Sequence, residues 1–422
     1  MVMLGAVQWA SAQRATTSSP YSRFGIGELR QDLLPQTRGM GGIATGVRYL
    51  GGYSNLNVAN PASYSALHMT TMDAGIFGNI TELTNSQRSE SAYNFALSHI
   101  NFGIPFSPRA GAMSFGIMPY SDMGYSYAVP GRIDTLDIQS AYNGAGGTTK
   151  AYLGYGIQLN RNFSVGFNVS YIFGTLSAIR TLEFPDHPGA LNTRIDDRNY
   201  INGISYDYGA QFFKTFGNNM NLTIGYAGTA GSSLNAKASR TVTRTPTSAV
   251  DDEENIPTDS LSAIEGVKRK LTMPMRHSIG FTLARANKWL VGADFNYGQW
   301  SDFRDGDTDP GLTDSYGFAV GAQIVPDITS VRYYNVMDYR VGFKYNKSYV
   351  QVANKDINQM AVTVGLGFPL PSMFRGAFYK INFATEFGQM GSVSNGLVRE
   401  RYVNFNLGFT LNDRWFVRSS YD

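Results

Sequence analysis

Along most of the chain, apolar and polar positions alternate. Phe163, Val165, Phe167, Val169, Tyr171 and Phe173 are interleaved with Ser164, Gly166, Asn168, Ser170, Ile172 and Gly174. Successive side chains of a β-strand point to opposite faces, so this period of two predicts a strand with one apolar, aromatic face and one small, mostly polar face. The preceding stretch sets Leu153, Tyr155, Ile157 and Leu159 against Tyr152, Gly154, Gly156 and Gln158. Only Asn160-Arg161-Asn162 separates the two runs, which predicts a hairpin.

The pattern returns at 222–226, 289–297, 339–345, 360–368 and 403–411. Each run suits a tilted strand crossing a bilayer, which takes roughly 9–11 residues. About fourteen such strands fit between Leu67 and Leu411, an even number as in bacterial outer-membrane barrels. Short joints at Ser107–Arg109, Asn160–Asn162, Gly217–Asn219 and Ala286–Lys288 alternate with long polar loops expected near Pro130–Thr149, Ser177–Asn199 and Ser239–Thr272. Short turns at one end and long loops at the other match periplasmic and extracellular sides. A soluble sandwich also alternates, but here the polar face, crowded with Gly, Ser, Asn and Thr, would make a poor core. The apolar face is aromatic towards strand ends, as a membrane girdle is.

Composition agrees. Aromatic residues are 13% and charged residues 16%, against roughly 25% charged in soluble domains. Mean hydropathy is −0.21 and no apolar run is long enough for a membrane helix. A net charge of +3 is too small to point to nucleic acid. Cysteine is absent, which excludes disulfides and thiolate chemistry. Met1–Val7 is apolar and leads to Ala10-Ser11-Ala12, which reads as the remnant of a secretory signal peptide without its basic n-region. An ordinary frayed terminus is the other reading.

Leu271–Gly280, Trp289–Asn296 and Trp300-Ser301-Asp302-Phe303, with Gly39–Gly42 and Asn60-Pro61-Ala62 before them, resemble stretches of the FadL-type outer-membrane transporters of fatty acids and aromatic hydrocarbons. The first three resemble that family's late hairpin. Gly39-Met40-Gly41-Gly42 through Asn60-Pro61-Ala62 resembles its N-terminal hatch, which carries an Asn-Pro-Ala motif. Ser19–Gly25 and Asn412–Phe416 are similar to a Bacteroidetes branch of it. The charged tail Arg414–Asp422 departs from the family pattern, in which an aromatic ends the last strand. The resemblance implies an all-β fold, a 14-stranded antiparallel transmembrane β-barrel plugged by the hatch. Its implied division is a signal remnant at 1–12, hatch at 13–66, barrel at 67–411 and a periplasmic tail at 412–422.

The resemblance further implies that hydrophobic ligands pass through a bent third strand. That strand is expected at Ala112–Tyr127, where Pro119 removes a ladder hydrogen bond and, with Gly124, suggests a bulge or lateral gap. A plain strand boundary is the alternative. Asp294, Arg340, Lys344, Lys380 and Glu386 fall on the inward parity of the later strands. A Lys or Arg facing lipid at mid-depth costs about 2–4 kcal/mol, so these are expected in the lumen, paired with one another or with Arg38 and Arg48 of the hatch.

Asp305, Asp307 and Asp309 have the spacing of a calcium loop, but Pro310 and Tyr316 stand where its glycine and closing glutamate belong. A solvated loop accounts for them better, and Asp251-Asp252-Glu253-Glu254 is read as a solvated charge run. No metal and no cofactor are expected. His68, His99, His187 and His277 lack metal-ligand spacing, and G-x-S-x-G is absent. The chain is therefore expected not to be an enzyme, although a Ser–His pair could still meet from distant strands.

Two functions fit this sequence, the first as its expectation and the second as the alternative. One is an outer-membrane channel for passive uptake of hydrophobic small molecules, long-chain fatty acids or aromatic hydrocarbons, gated by the hatch and the kinked strand. The other is a non-transporting barrel, scaffold or shuttle for an outer-membrane protein partner in assembly or secretion. In both, outer-membrane lipid and lipopolysaccharide surround the wall. The hatch ends at Asn60-Pro61-Ala62, where Pro61 bars Asn60 from helix and the Asn60 amide can bind nearby backbone.

Overall fold

The computed structural model describes residues 17–50, 54–85, 88–107, 110–134, 136–187, 190–246, 259–352, 354–371, 377–393 and 397–415. The proposed signal remnant, the acidic run at 251–254 and the end of the tail lie outside them. Within the N-terminal segment a two-residue strand, β1 (Glu28–Leu29), precedes the wall. The wall opens with β2 (Thr70–Thr84), β3 (Ser89–Ser107), β4 (Gly111–Ile133), β5 (Leu136–Asn160), β6 (Phe163–Glu183) and β7 (Leu191–Phe216). Then come β8 (Met220–Thr229), β9 (Ser232–Pro246), β10 (Asp259–Met273), β11 (Arg276–Arg285), β12 (Trp289–Gly298) and a short β13 (Arg304–Asp305). It closes with β14 (Ser315–Ile324), β15 (Asp338–Val352), β16 (Lys355–Leu370), β17 (Phe378–Met390) and β18 (Arg399–Asp413).

Each strand pairs antiparallel with its neighbour, and β18 pairs with β2 from Arg399↔Thr84 to Asp413↔Thr70, which closes the barrel. β8 runs on into β9, and β10 into β11, as single wall strands, so the wall has 14 strands. Closure leaves no backbone edge for lipid to cover, the condition for a β-structure to span a membrane. The faces follow the alternation. On β6, Phe167 is 52% exposed, whereas Ser164 and Ile172 are 0% exposed. An aromatic exterior around a polar, filled interior belongs to an outer-membrane barrel.

The wall is of unequal height. β4, β5, β6 and β7 have 23, 25, 21 and 26 residues, while β12 and β14 have 10 each. The loops expected near Pro130–Thr149, Ser177–Asn199 and Ser239–Thr272 are strand for most of their length, a correction to the sequence reading. The β4–β5 ladder continues to Ile133↔Leu136, β6–β7 to Leu182↔Thr193 and β9–β10 to Arg244↔Asp259. Above the bilayer both faces meet water, so alternation fades while backbone pairing, which does not read side chains, carries on. For the same reason the third strand runs past Tyr127 to Ile133.

Inside the wall lies the segment from Thr17 to Ala66. Besides β1, its described residues hold short helical stretches at Pro20–Arg23, Pro35–Arg38 and Pro61–Ala66, each begun by a proline, whose fixed φ suits a first helical position. Leu34, Met40, Ile43, Leu50, Leu56 and Tyr64 are buried against wall residues such as Ala112, Leu290 and Ala319. The turn at Gly41 and Gly42 has φ of 73° and 89°, conformations open to glycine. It presses so closely on β15 that a Cβ on Gly342 would strike the Gly41 nitrogen.

Candidate functional site: the hatch and the gap beside the third strand

β4 is the third strand of the wall. It pairs with β5 from Ala112↔Gly156 to Ile133↔Leu136, but with β3 only from Ser107↔Gly111 to Ile100↔Ile117. Pro119 stands two residues beyond that point. A register shift there sets Pro119 opposite Thr149 and Ser121 opposite Thr148, leaving Tyr120 unopposed on β5. Proline cannot donate to a ladder, and a bulge turns the strand. β3 keeps its pairing with β2 as far as Ser89↔Thr84. The wall therefore has a wedge-shaped seam between Ser89–His99 of β3 and the upper part of β4.

The hatch takes the vacated place on the β4 side. Glu28 pairs with Asp122 and Leu29 with Ser121, and the Arg30 N–H donates to the Tyr120 carbonyl at 2.9 Å. The Gly124 N–H donates to Ser22 Oγ at 3.0 Å, and that hydroxyl has the Ser19 carbonyl at 2.7 Å and the Gly124 carbonyl at 3.1 Å as acceptors. Arg30 also forms an ion pair with Asp122 and lies 4.3 Å from the Phe77 ring centre. Pro119 and Gly124 thus bracket the length of strand that the hatch holds. Glu28, Leu29 and Arg30 carry no sequence signal, because β1 is too short to show a period, and Ser22 stood out only within the Ser19–Gly25 stretch, without this role.

All five predicted lumen charges are buried inside the wall. Lys380 Nζ lies 2.6 Å from Asp338 Oδ2, and Arg340 pairs with the same carboxylate. Arg340 also donates to Gln323 Oε1 at 2.7 Å and to Asn382 Oδ1 at 2.9 Å. Lys344 Nζ is 2.7 Å from Glu386 Oε1, which the Tyr402 hydroxyl also reaches at 2.7 Å. Asp294 accepts the Ala44 and Thr45 N–H groups, each at 2.7 Å, and so ties β12 to the hatch. Arg38 and Arg48 form no ion pair among the described residues. Arg48 donates instead to Ser65, Ser164, Gln158 and Gln211 and lies 3.9 Å from the Phe213 ring centre. Asp338 went unnoticed in the sequence, although its place two residues from Arg340 puts both on one face. Lys150, paired with Asp32 of the hatch and 3.8 Å from Asp207, belongs to the same lumen network.

Asn60 caps the Pro61–Ala66 turn. Its Oδ1 accepts the Ala62 N–H at 3.2 Å, and its Nδ2 donates to the Thr45 carbonyl at 2.8 Å. Gly209 of β7 leaves the room, for a Cβ there would strike Asn60 Oδ1. Pro61 and Ala62 lie equally close to Gly166 of β6.

Two cavities flank the N-terminal part of the hatch. The inner one, about 290 Å³, is lined by Glu28, Arg30, Asp32, Asp207, Arg276 and Trp300 among others. The outer one, about 690 Å³, lies at the wide mouth between Arg23, Phe24, Tyr125, Tyr127, Arg180 and Phe303. The calcium reading of the late loop finds no support. Asp305 pairs with Arg269 at 2.9 Å and Asp309 with Arg304 at 3.5 Å, and no described group of three acidic, His or Cys side chains could hold a metal. One Ser–His–Asp row does exist: His99 Nδ1 lies 3.1 Å from Ser98 Oγ and Nε2 lies 2.6 Å from Asp73 Oδ1. Both His99 and Asp73 are sealed at 0% exposure, with Thr410 and Gln36 of the hatch on the carboxylate, so the row ties hatch to wall.

These features are those of a hatch-plugged, 14-stranded outer-membrane barrel with the fold of the FadL-type channels. A FadL homologue from Pseudomonas aeruginosa superposes with a TM-score of 0.57 at 13% identity, over 92% of this chain and 98% of that one. The toluene transporter TbuX of Ralstonia pickettii gives 0.55 at 15% identity over 90% and 98%. The toluene transporter TodX of Pseudomonas putida gives 0.56 at 15% identity over 90% and 98%. At such identities the likeness is one of fold. The chain itself belongs to the BamG family, whose model matches residues 1–422. No curated protein matches the sequence.

Proposed function

We propose that this barrel works closed, as a membrane-embedded scaffold for a protein partner in the outer membrane. The observation that supports this reading is the character of the lumen. A conduit for hydrophobic molecules needs an apolar path to the wall, because buried charges lose hydration when an apolar molecule displaces their water. Here the inner cavity, whose described lining includes no residue of β3 or β4, sets Glu28, Arg30, Asp32, Asp207 and Arg276 among Leu29, Val58, Trp300, Tyr349 and Met390, and hatch backbone on the β4 lip separates it from the seam. Above the membrane the tall hairpins of β4–β7 offer a broad surface, with outer-membrane lipid and lipopolysaccharide around the wall below.

The seam itself favours a second reading, passive uptake of fatty acids or aromatic hydrocarbons with Pro119 at a lateral exit and the hatch as gate. One experiment separates the two. The full-length protein is extracted from outer membranes in mild detergent, its mass is measured, and it is reconstituted in planar bilayers. Uptake of labelled long-chain fatty acid is followed in cells with and without the gene, and with Pro119→Val. A defined stoichiometric complex, silent bilayers and unchanged uptake are expected. A monomer whose loss abolishes uptake would reverse the choice.

A further inference from the structure

The two lips of the seam are treated differently. On the β4 lip the hatch supplies backbone partners at Tyr120, Ser121, Asp122 and Gly124. On the other lip, Ser89–His99 of β3 pair with β2 alone, and no described residue forms a ladder on their free side. In an antiparallel strand about half the residues direct both N–H and C=O to that side. The side chains register the missing neighbour. Tyr93 is 74% and Phe95 71% exposed, against 42% for the outward Ile80 on β2.

The lower part of this edge lies in the outer leaflet, about eight residues above the periplasmic turn at roughly 3.3 Å rise per residue along a tilted strand. Lipid chains offer no hydrogen bonds, and each unsatisfied backbone group there costs several kcal/mol. An apolar ligand fails for the same reason. Water reaches the upper end but not the lipid-facing side. What satisfies such an edge is another extended backbone, with donors and acceptors in alternation.

Charge bears on the occupant as well. At the upper end of the seam Arg23 is exposed between Phe24 and Tyr127, 5.0 Å and 6.0 Å from their ring centres, and it bonds the Tyr127 hydroxyl. Arg180 opens on the same mouth, and neither arginine meets a carboxylate among the described residues. A segment rising along β3 would pass the exposed Glu90 of that edge and reach Arg23 and Arg180, so it is complementary if it carries an acidic side chain at the arginines.

We propose that the free edge of β3 is a strand-addition site. A β-segment of a second outer-membrane polypeptide pairs with Ser89–His99, packs its apolar side against Tyr93 and Phe95, and places a carboxylate at Arg23. This rests on the scaffold reading and names its surface and the kind of partner.

The test is made in cells on the full chain. A photo-crosslinking phenylalanine analogue replaces Tyr93 or Phe95, and Phe343 on the far wall serves as control. A discrete, protease-sensitive adduct is expected from positions 93 and 95 and not from 343. Lysine on an edge strand blocks pairing, so Tyr93→Lys should lower the adduct from position 95 at least tenfold. Arg23→Glu, which leaves the edge intact, should lower it several-fold, and unchanged outer-membrane levels show that the variants fold. Adducts with lipid alone, or an adduct indifferent to Tyr93→Lys, overturn the inference. If the detergent-extracted complex stays stoichiometric while positions 93 and 95 stay silent, only this inference fails. If no complex exists, the scaffold reading fails with it.

Discussion

Leu29 of the hatch is paired with Ser121 of β4, in the place that β3 leaves free. A plug segment thereby serves as a strand of the wall, held on the β4 lip by β1, the Arg30 N–H, the Arg30–Asp122 ion pair and the Ser22 hydroxyl. Ser22→Ala removes that hydroxyl and leaves a buried Gly124 N–H unpartnered, a loss of about 1–3 kcal/mol. The chain has no cysteine, so a single cysteine at Leu29 can report on the seal. Its labelling by a surface-applied maleimide should rise about tenfold or more in the Ser22→Ala background. An unchanged rate would show that the side-chain bonds do not hold this part of the hatch.

Asn60 is fixed from both sides, by its bond to the Thr45 carbonyl and by the cap on the Ala62 N–H. Asn60→Ala strands the Ala62 N–H, leaves the Thr45 carbonyl with the Gln211 Nε2 donor alone and opens space beside Gly209, and should loosen the hatch by about 1–3 kcal/mol. Cells carrying it should become more sensitive to large antibiotics that the outer membrane excludes. Gly209→Ala, which forces a Cβ onto Asn60 Oδ1, should act in the same direction. If permeability is unmoved in both, the motif is an inert turn.

Asp338 holds two cations, Arg340 and Lys380. Asp338→Asn keeps the shape and removes the charge, leaving two buried cations facing each other. Breaking a buried pair in this way costs about 3–5 kcal/mol. The heat-induced shift from folded to unfolded mobility on gels should move to lower temperature. The double variant Asp338→Asn/Lys380→Met should recover part of the loss. Equal behaviour of single and double variants would show that the facing Lys380 charge is not the source of the loss.

Asp314, in the loop after β12, accepts the Tyr297 hydroxyl at 2.5 Å and the Ser301 N–H at 3.0 Å. The Tyr297 bond, ahead of that from Ser301, holds its carboxyl below the usual aspartate range. A lowered folded pKa stabilises the loop fully above the unfolded value of about 3.9 and is lost as pH falls through the folded value. Hydrogen exchange of the segment 299–314 should therefore be flat from neutral pH to about pH 4, once corrected for intrinsic rates, and rise below it. In Asp314→Asn that acid step should disappear.

The wall was legible because its alternation is imposed by two solvents. Phe167 meets lipid and Ser164 the lumen, and a side chain cannot exchange these places without a large cost. Asp294, Arg340, Lys344, Lys380 and Glu386 could be placed inside by the same parity. Parity could not give partners, so Asp338 and Lys150 went unnamed and Arg48 was matched with acids it does not meet. The hatch was seen only through its prolines and glycines, because single turns and a two-residue strand carry no period. The upper hairpins were misread as loops for the opposite reason: water on both faces erases the pattern while the ladder continues.

The unequal height of the wall gives the molecule a front and a back in the plane of the membrane. A barrel of even height can be approached from any bearing, and a neighbour diffusing in two dimensions finds no preferred side. Here β4–β7 rise as a screen, and the open seam lies at one margin of it, while the short β12–β14 arc lies low. A neighbouring membrane protein with bulk above the bilayer meets a tall face on one bearing and only the low wall on another. The fold thus sets the orientation of an encounter before any two side chains touch.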